Sequence, residues 1–130
     1  MQFLSMIRIN ENSGKRPDQQ LMDDMGKLMD EMTKAGIMLD TAGLYPTSQG
    51  VRVKLSHGKI SQTDGPFTET KEVIGGYWFI VAASLEEAAE IASHNPCLAF
   101  GLTLEIGQLE PERAHATDIT NETPAEWRRR

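Results

Sequence analysis

Apolar residues recur along this chain with two periods, and the periods sort it into strands and helices. From Gln2 to Ile9, Phe3, Ser5, Ile7 and Ile9 fall on one face and Leu4, Met6 and Arg8 on the other. Most positions on both faces are apolar, which predicts a central strand covered on both sides. From Pro17 to Ala35 the period lengthens: Leu21, Met25, Leu28, Met32 and Ala35 recur at steps of four and three, widened by Met22 and Met29. This is a helix, with Pro17 suited to its first position, Asp18 to its positive end and Gly36 to a left-handed cap. Its methionines read as adaptable core.

Ile37 to Leu44 is expected to be a second strand. Val51, Val53 and Leu55 alternate with Arg52, Lys54 and Ser56, a strand with one wet face. The turn Ser56-His57-Gly58-Lys59 returns it as a hairpin through Ile60 to Thr63. Gly75-Gly76 introduces Tyr77 to Ala82, again apolar on both faces. Ser84-Leu85-Glu86-Glu87 is a capping box opening a helix with Leu85, Ala88, Ala89 and Ala92 as its stripe, ended by Asn95-Pro96. A last strand carries Leu102, Leu104 and Ile106.

Two strand–helix–strand units with an inserted hairpin give an α+β, ferredoxin-like βαββαβ sandwich with both helices on one face of the sheet. In that topology the two central strands are the two that read apolar on both sides. The helix-free face then needs a cover, and a second copy of the sheet related by two-fold symmetry supplies one, so a homodimer is expected. The competing cover is the polar, aperiodic tail of residues 110–130, which follows a domain spanning residues 1–109.

The chain has 130 residues, enough for one domain with its own core, and a net charge of −6. The acidity, with basic residues clustered only at Arg128-Arg129-Arg130, argues against nucleic acid and favours a small molecule or a protein as partner. Cys97 is the only cysteine, so no internal disulfide is possible. No apolar run is long enough to span a membrane, and Met1 to Ile9 lacks the features of a leader, so a cytoplasmic, membrane-free protein is the expectation.

The most distinctive segment is Thr63-Asp64-Gly65-Pro66-Phe67-Thr68-Glu69-Thr70-Lys71-Glu72. By turn chemistry Asp64-Gly65-Pro66-Phe67 is a structural loop, with Phe67 as its anchor in the core. The ionisable residues behind it, Glu69, Lys71 and Glu72, add a second reading in which Asp64 handles a proton. This string, followed by Gly75-Gly76-Tyr77 and an apolar strand, resembles the DGPF family of the YCII-related domain superfamily, over Met1 to about Leu109. The resemblance implies a dimeric α/β barrel: two ferredoxin-like sheets face to face, with a cleft at their interface.

Some members of that superfamily resemble small-molecule enzymes with a histidine–aspartate pair. Other DGPF-type members are encoded beside alternative sigma factors, which implies a regulatory or protein-interaction alternative. The histidines here, His57, His94 and His115, do not fall where the superfamily pattern would place one, so only Asp64 is carried over. The candidate ligand-binding set is Asp64, Phe67, Glu69, Lys71, Tyr77 and Trp78, with Asp64 the one catalytic candidate. Tyr77 and Trp78 must point to opposite faces, one under the helices and one toward the cleft. His94 and Cys97 are two potential ligands without a second pair, so no metal is expected, and no cofactor motif is present.

Overall fold

The computed structural model describes residues 1–14, 16–111, 125, 128 and 129. Its elements are β1 (Gln2–Ile9), α1 (Gln19–Lys34), β2 (Met38–Gly43), β3 (Val51–Ser56), β4 (Lys59–Asp64), β5 (Val73–Val81), α2 (Leu85–Ala92) and β6 (Thr103–Gln108). Of the tail expected at 110–130, all but residues 110, 111, 125, 128 and 129 lies outside the described residues.

Local chemistry sets the helix ends. Helix α1 starts two residues later than its apolar pattern suggests. The reason is Asp18, whose carboxylate accepts from the Leu21 N–H at 2.8 Å and takes the N-cap, leaving Pro17 outside. At the other end Gly36 has φ +73°, and the N–H of Ile37 donates to the Met32 carbonyl at 2.9 Å. That six-to-one bond with a left-handed glycine is a Schellman cap. For α2, the Ser84 hydroxyl accepts from the Glu87 N–H at 3.1 Å. The helix ends at Ala92, short of Asn95-Pro96, because turn bonds through Ser93, His94 and Asn95 replace its last turn.

The main sheet has the order β2-β5-β1-β6, all neighbours antiparallel. This is the ferredoxin-like arrangement, and β1 and β5 are its central pair, as two-sided apolarity predicts. Beneath the helices lie Phe3, Trp78, Ile80 and Ala82 with Met32, Met38 and Ala88, and Met25, Leu28, Met29, Ile91 and Ile106 pack around them. Phe3 is fully buried, worth about 2–3 kcal/mol of transfer free energy. The stripes are narrower than expected. Met22 and Leu85 are 57% and 55% exposed, and Ala89 is exposed too.

Two further departures have clear causes. Strand β5 begins at Val73, so Gly75-Gly76 lies inside it. A side chain on Gly76 would sit 2.9 Å from the Ala42 carbonyl oxygen, and one on Gly75 would meet Ile9 at 3.0 Å. These glycines serve close strand approach rather than a break. The β3–β4 hairpin, expected to have one wet face, is exposed along nearly its whole length on both faces, because it forms its own two-stranded sheet. Its turn is tight: His57 and Gly58 have φ of 51° and 75°, the left-handed pair of a two-residue hairpin connection.

Candidate functional site

The signature loop is held by a short chain of hydrogen bonds. Glu11, just after β1, accepts from both the N–H and the hydroxyl of Thr47, each at 2.6 Å. The same hydroxyl accepts from the Phe67 N–H at 3.1 Å, and the Gly65 N–H donates to the Gly50 carbonyl at 2.9 Å. The Gly65–Pro66 peptide is cis. Gly65 presses so closely on this strap that a side chain there would lie 1.6 Å from the Thr47 carbonyl oxygen. Phe67 is half-buried but does not reach the core. Its ring lies beneath the Arg52 guanidinium, 4.3 Å from the centroid, and Arg52 also donates to Glu69. The loop thus spends its amides, an aromatic ring and a carboxylate on fastening the root of the hairpin.

These contacts set the carboxylates' ionisation. The hydroxyl bond from Thr47, then its amide bond, holds the Glu11 carboxyl below the ordinary glutamate value, and the bond from Arg52 does the same for Glu69. A depressed folded-state value contributes stability that is present above the unfolded value and is lost as pH falls through the folded one. Lowering the pH below the ordinary glutamate range should therefore release Thr47 from Glu11. The Thr47 amide resonance should titrate with a midpoint below that of an unperturbed glutamate, and Glu11→Gln should abolish the transition. A midpoint at or above the ordinary value would show that the strap does not hold the ionised form.

The second cluster lies on the sheet face away from α1 and α2. Strand pairing places Leu4, Met6 and Arg8 of β1 on this face with Tyr77 and Phe79 of β5 and Glu105 of β6, and Gln2 and Val81 pair at its far end. Leu4, Met6, Tyr77, Phe79 and Val81 are all half-buried, and the Tyr77 and Phe79 rings meet edge to face at 5.5 Å. Arg8 brings a positive charge among them. Its Nε lies 3.7 Å from a Glu105 oxygen and 4.0 Å from a Glu72 oxygen, beyond hydrogen-bonding reach of both.

Among the described residues, two side-chain polar atoms are shielded from solvent with no hydrogen-bond partner: Arg8 Nε and Gln2 Oε1. Both belong to β1 positions of this same face. A buried donor and a buried acceptor left unmatched each cost about 1–3 kcal/mol. The face therefore carries unmet polar demand as well as apolar surface.

The candidates named from the sequence are not gathered into one site. Asp64 is exposed at the end of β4, paired in register with Val51, and Lys71 is exposed. Glu69 and Phe67 engage Arg52. Trp78 is 4% exposed in the core, so of the aromatic pair Tyr77 is the one on the helix-free face. Sequence reasoning did not single out Arg8 or Glu105 and named Glu72 only among the ionisable residues after the turn, although a lone arginine on a two-sided apolar strand is itself a signal. Glu11 and Thr47, 36 residues apart, carry no local signal at all. Among the described residues no group of three or more histidine, cysteine, aspartate or glutamate side chains is placed to hold a metal. Cys97 is buried, which pushes its thiol up, and its Sγ lies 3.6 Å from Met25 Sδ.

A ferredoxin-like sheet with α1 and α2 on one side and a tightly strapped loop before β5 defines the class. The chain belongs to the YCII-related family, whose domain matches residues 1–107. It is 36% identical over 78 residues to an uncharacterized protein of Rhizobium meliloti, a stretch covering 60% of this chain and 63% of that protein. Among solved structures it is similar to the 5-chloro-2-hydroxyhydroquinone dehydrochlorinase of Burkholderia phenoliruptrix in complex with 2,5-dihydroxybenzoquinone. That match has 14% identity and a TM-score of 0.46, over 85% of this chain and 94% of that one. No helix among the described residues is long and apolar enough to cross a membrane.

Proposed function

We propose that this protein is a homodimer that binds a small molecule in a cleft over the helix-free face of its sheet. The observation that carries the reading is Arg8, a part-exposed guanidinium set between Glu72 and Glu105, with no hydrogen bond at its Nε, on a face that otherwise presents Leu4, Met6, Tyr77 and Phe79. Apolar and aromatic walls with a few convergent polar groups are the usual make-up of a ligand site. Tyr77 supplies the aromatic wall. The loop residues Asp64, Phe67, Glu69 and Lys71 shape the rim of the cleft. Asp64 acts there as a turn residue rather than as an acid or base.

The charges specify the ligand further. One arginine stands against two carboxylates, Glu72 and Glu105, so the local balance is negative and a second anion is disfavoured. The fitting ligand is a planar, uncharged molecule that offers an acceptor to Arg8 and a donor to a glutamate. Ligand-observed NMR with phenol, benzamide and benzoate tests this. The two neutral probes should bind at least about 10-fold more tightly than benzoate, and Arg8→Gln should weaken them by about 10-fold or more. Preference for benzoate, or binding indifferent to Arg8→Gln in a variant that melts like wild type, would sink the assignment.

A further inference from the structure

We propose that Gly107 is the specificity-determining residue of the cleft, leaving open a floor on which the second ring of a two-ring ligand lies. The inference rests on the small-molecule reading above and adds the size of the ligand to its polarity.

A glycine inside a strand weakens it, because it has no side chain to pack and more freedom to lose. At Gly76 the reason for tolerating that loss is visible, since the Ala42 carbonyl oxygen leaves no room for a side chain. Gly107 has no such reason. Its φ lies outside the left-handed region, and its pairing with Leu4 is free of any register shift. Among the described residues nothing lies within 4 Å of the place its Cβ would take. Gly26 and Gly43 are equally open, but both are exposed, where a missing side chain forfeits little packing. Gly107 is half-buried in β6. A strand glycine with neither a bulge nor a neighbour to accommodate marks a place where something outside the chain approaches the backbone closely.

Its position says what approaches. Gly107 is directly opposite Leu4, so it lies on the helix-free face, two residues along β6 from Glu105 and on the same side of the strand. Glu105 is the carboxylate beside Arg8, and Leu4 is one of the apolar walls of the cleft. The gap over Gly107 therefore opens off the polar end of the cleft, with bare backbone as its floor and Leu4 at its side. Two strand residues span about 7 Å, so a single ring held between Arg8 and Glu105 stops short of Gly107 and a fused second ring covers it.

The test is ligand-observed NMR titration of the intact chain with phenol and 2-naphthol, for wild type, Gly107→Ala and Gly107→Val, with each protein's melting temperature and native mass recorded. Wild type should bind 2-naphthol at least about 10-fold more tightly than phenol, from the apolar area of the second ring. Gly107→Val should weaken 2-naphthol about 10-fold or more and phenol less than about 3-fold, with Gly107→Ala between, because each added carbon fills more of the gap. Valine suits a strand, so Gly107→Val should melt at or above the wild-type temperature. A wild type that binds phenol at least as tightly as 2-naphthol, or 2-naphthol binding unmoved by Gly107→Val, overturns this inference and leaves the cleft standing. Phenol weakened as much as 2-naphthol, a lowered melting temperature or a lost dimer puts the chain itself or its second copy over Gly107 and overturns it too. A wild type that binds neither probe overturns this inference and the small-molecule reading together.

Discussion

Replacing Gly65 by alanine should cost about 3 kcal/mol of stability, or else release the signature loop from its dock. The new methyl carbon would be placed 1.6 Å from the Thr47 carbonyl oxygen, an approach that no rotamer can relieve because both atoms belong to the backbone framework. Either Thr47 moves off Glu11 or Gly65 moves off Gly50. Both outcomes break the strap that joins the end of β1 to the root of the hairpin. Chemical denaturation reads the loss of stability in either case, and loss of the low-pH titration of the Thr47 amide reads release of Thr47 from Glu11. Gly26→Ala is the control. Gly26 lies mid-helix with open space around it, so alanine there should stabilise by about 1 kcal/mol. A Gly65→Ala chain with wild-type stability and a wild-type Thr47 titration would show that the loop is not docked as described.

The second large effect is expected from Met6→Asp. Met6 lies mid-strand in β1, paired with Tyr77 on one side and Glu105 on the other, on the half-buried, helix-free face. In a single chain a carboxylate there keeps access to water, so the melting temperature at low concentration should change little. At an interface it would be buried without a cation beside an existing glutamate, a cost of several kcal/mol. The dimer dissociation constant should rise about 1000-fold, giving a monomer by size exclusion at micromolar concentration. A dimer unaffected by this change would place the interface elsewhere on the molecule.

Much of the fold was legible because burial leaves a pattern. β1 and β5 read as central because both sides are apolar, and the sheet order confirms it. Asp18, Gly36 and Ser84 marked helix ends because capping depends on one or two adjacent residues. Signals that depend on distant chain did not show. Gly75-Gly76 reads as the lead-in to a strand until Ala42 and Ile9 are seen pressing on it inside β5, and the hairpin reads as half-covered until it separates from the main sheet.

The candidate site divides in the same way. The string from Thr63 to Glu72 was conspicuous for its turn chemistry, and its residues fasten to Thr47 and Arg52, which lie outside it. Arg8 was placed on the correct face by simple alternation, but its importance depends on Glu72, Glu105 and the two unmatched atoms, which only the pairing of β1 with β5 and β6 assembles.

If the face away from α1 and α2 is an interface that encloses a ligand site, assembly and ligand should be lost or kept together. Native mass spectrometry of freshly purified protein tests it most directly, reporting assembly and retained ligand in one spectrum. The expected result is a dimer at twice the 14.5 kDa chain mass that carries added phenol and releases it on Arg8→Gln substitution. A monomer at micromolar concentration, with or without bound phenol, would contradict it.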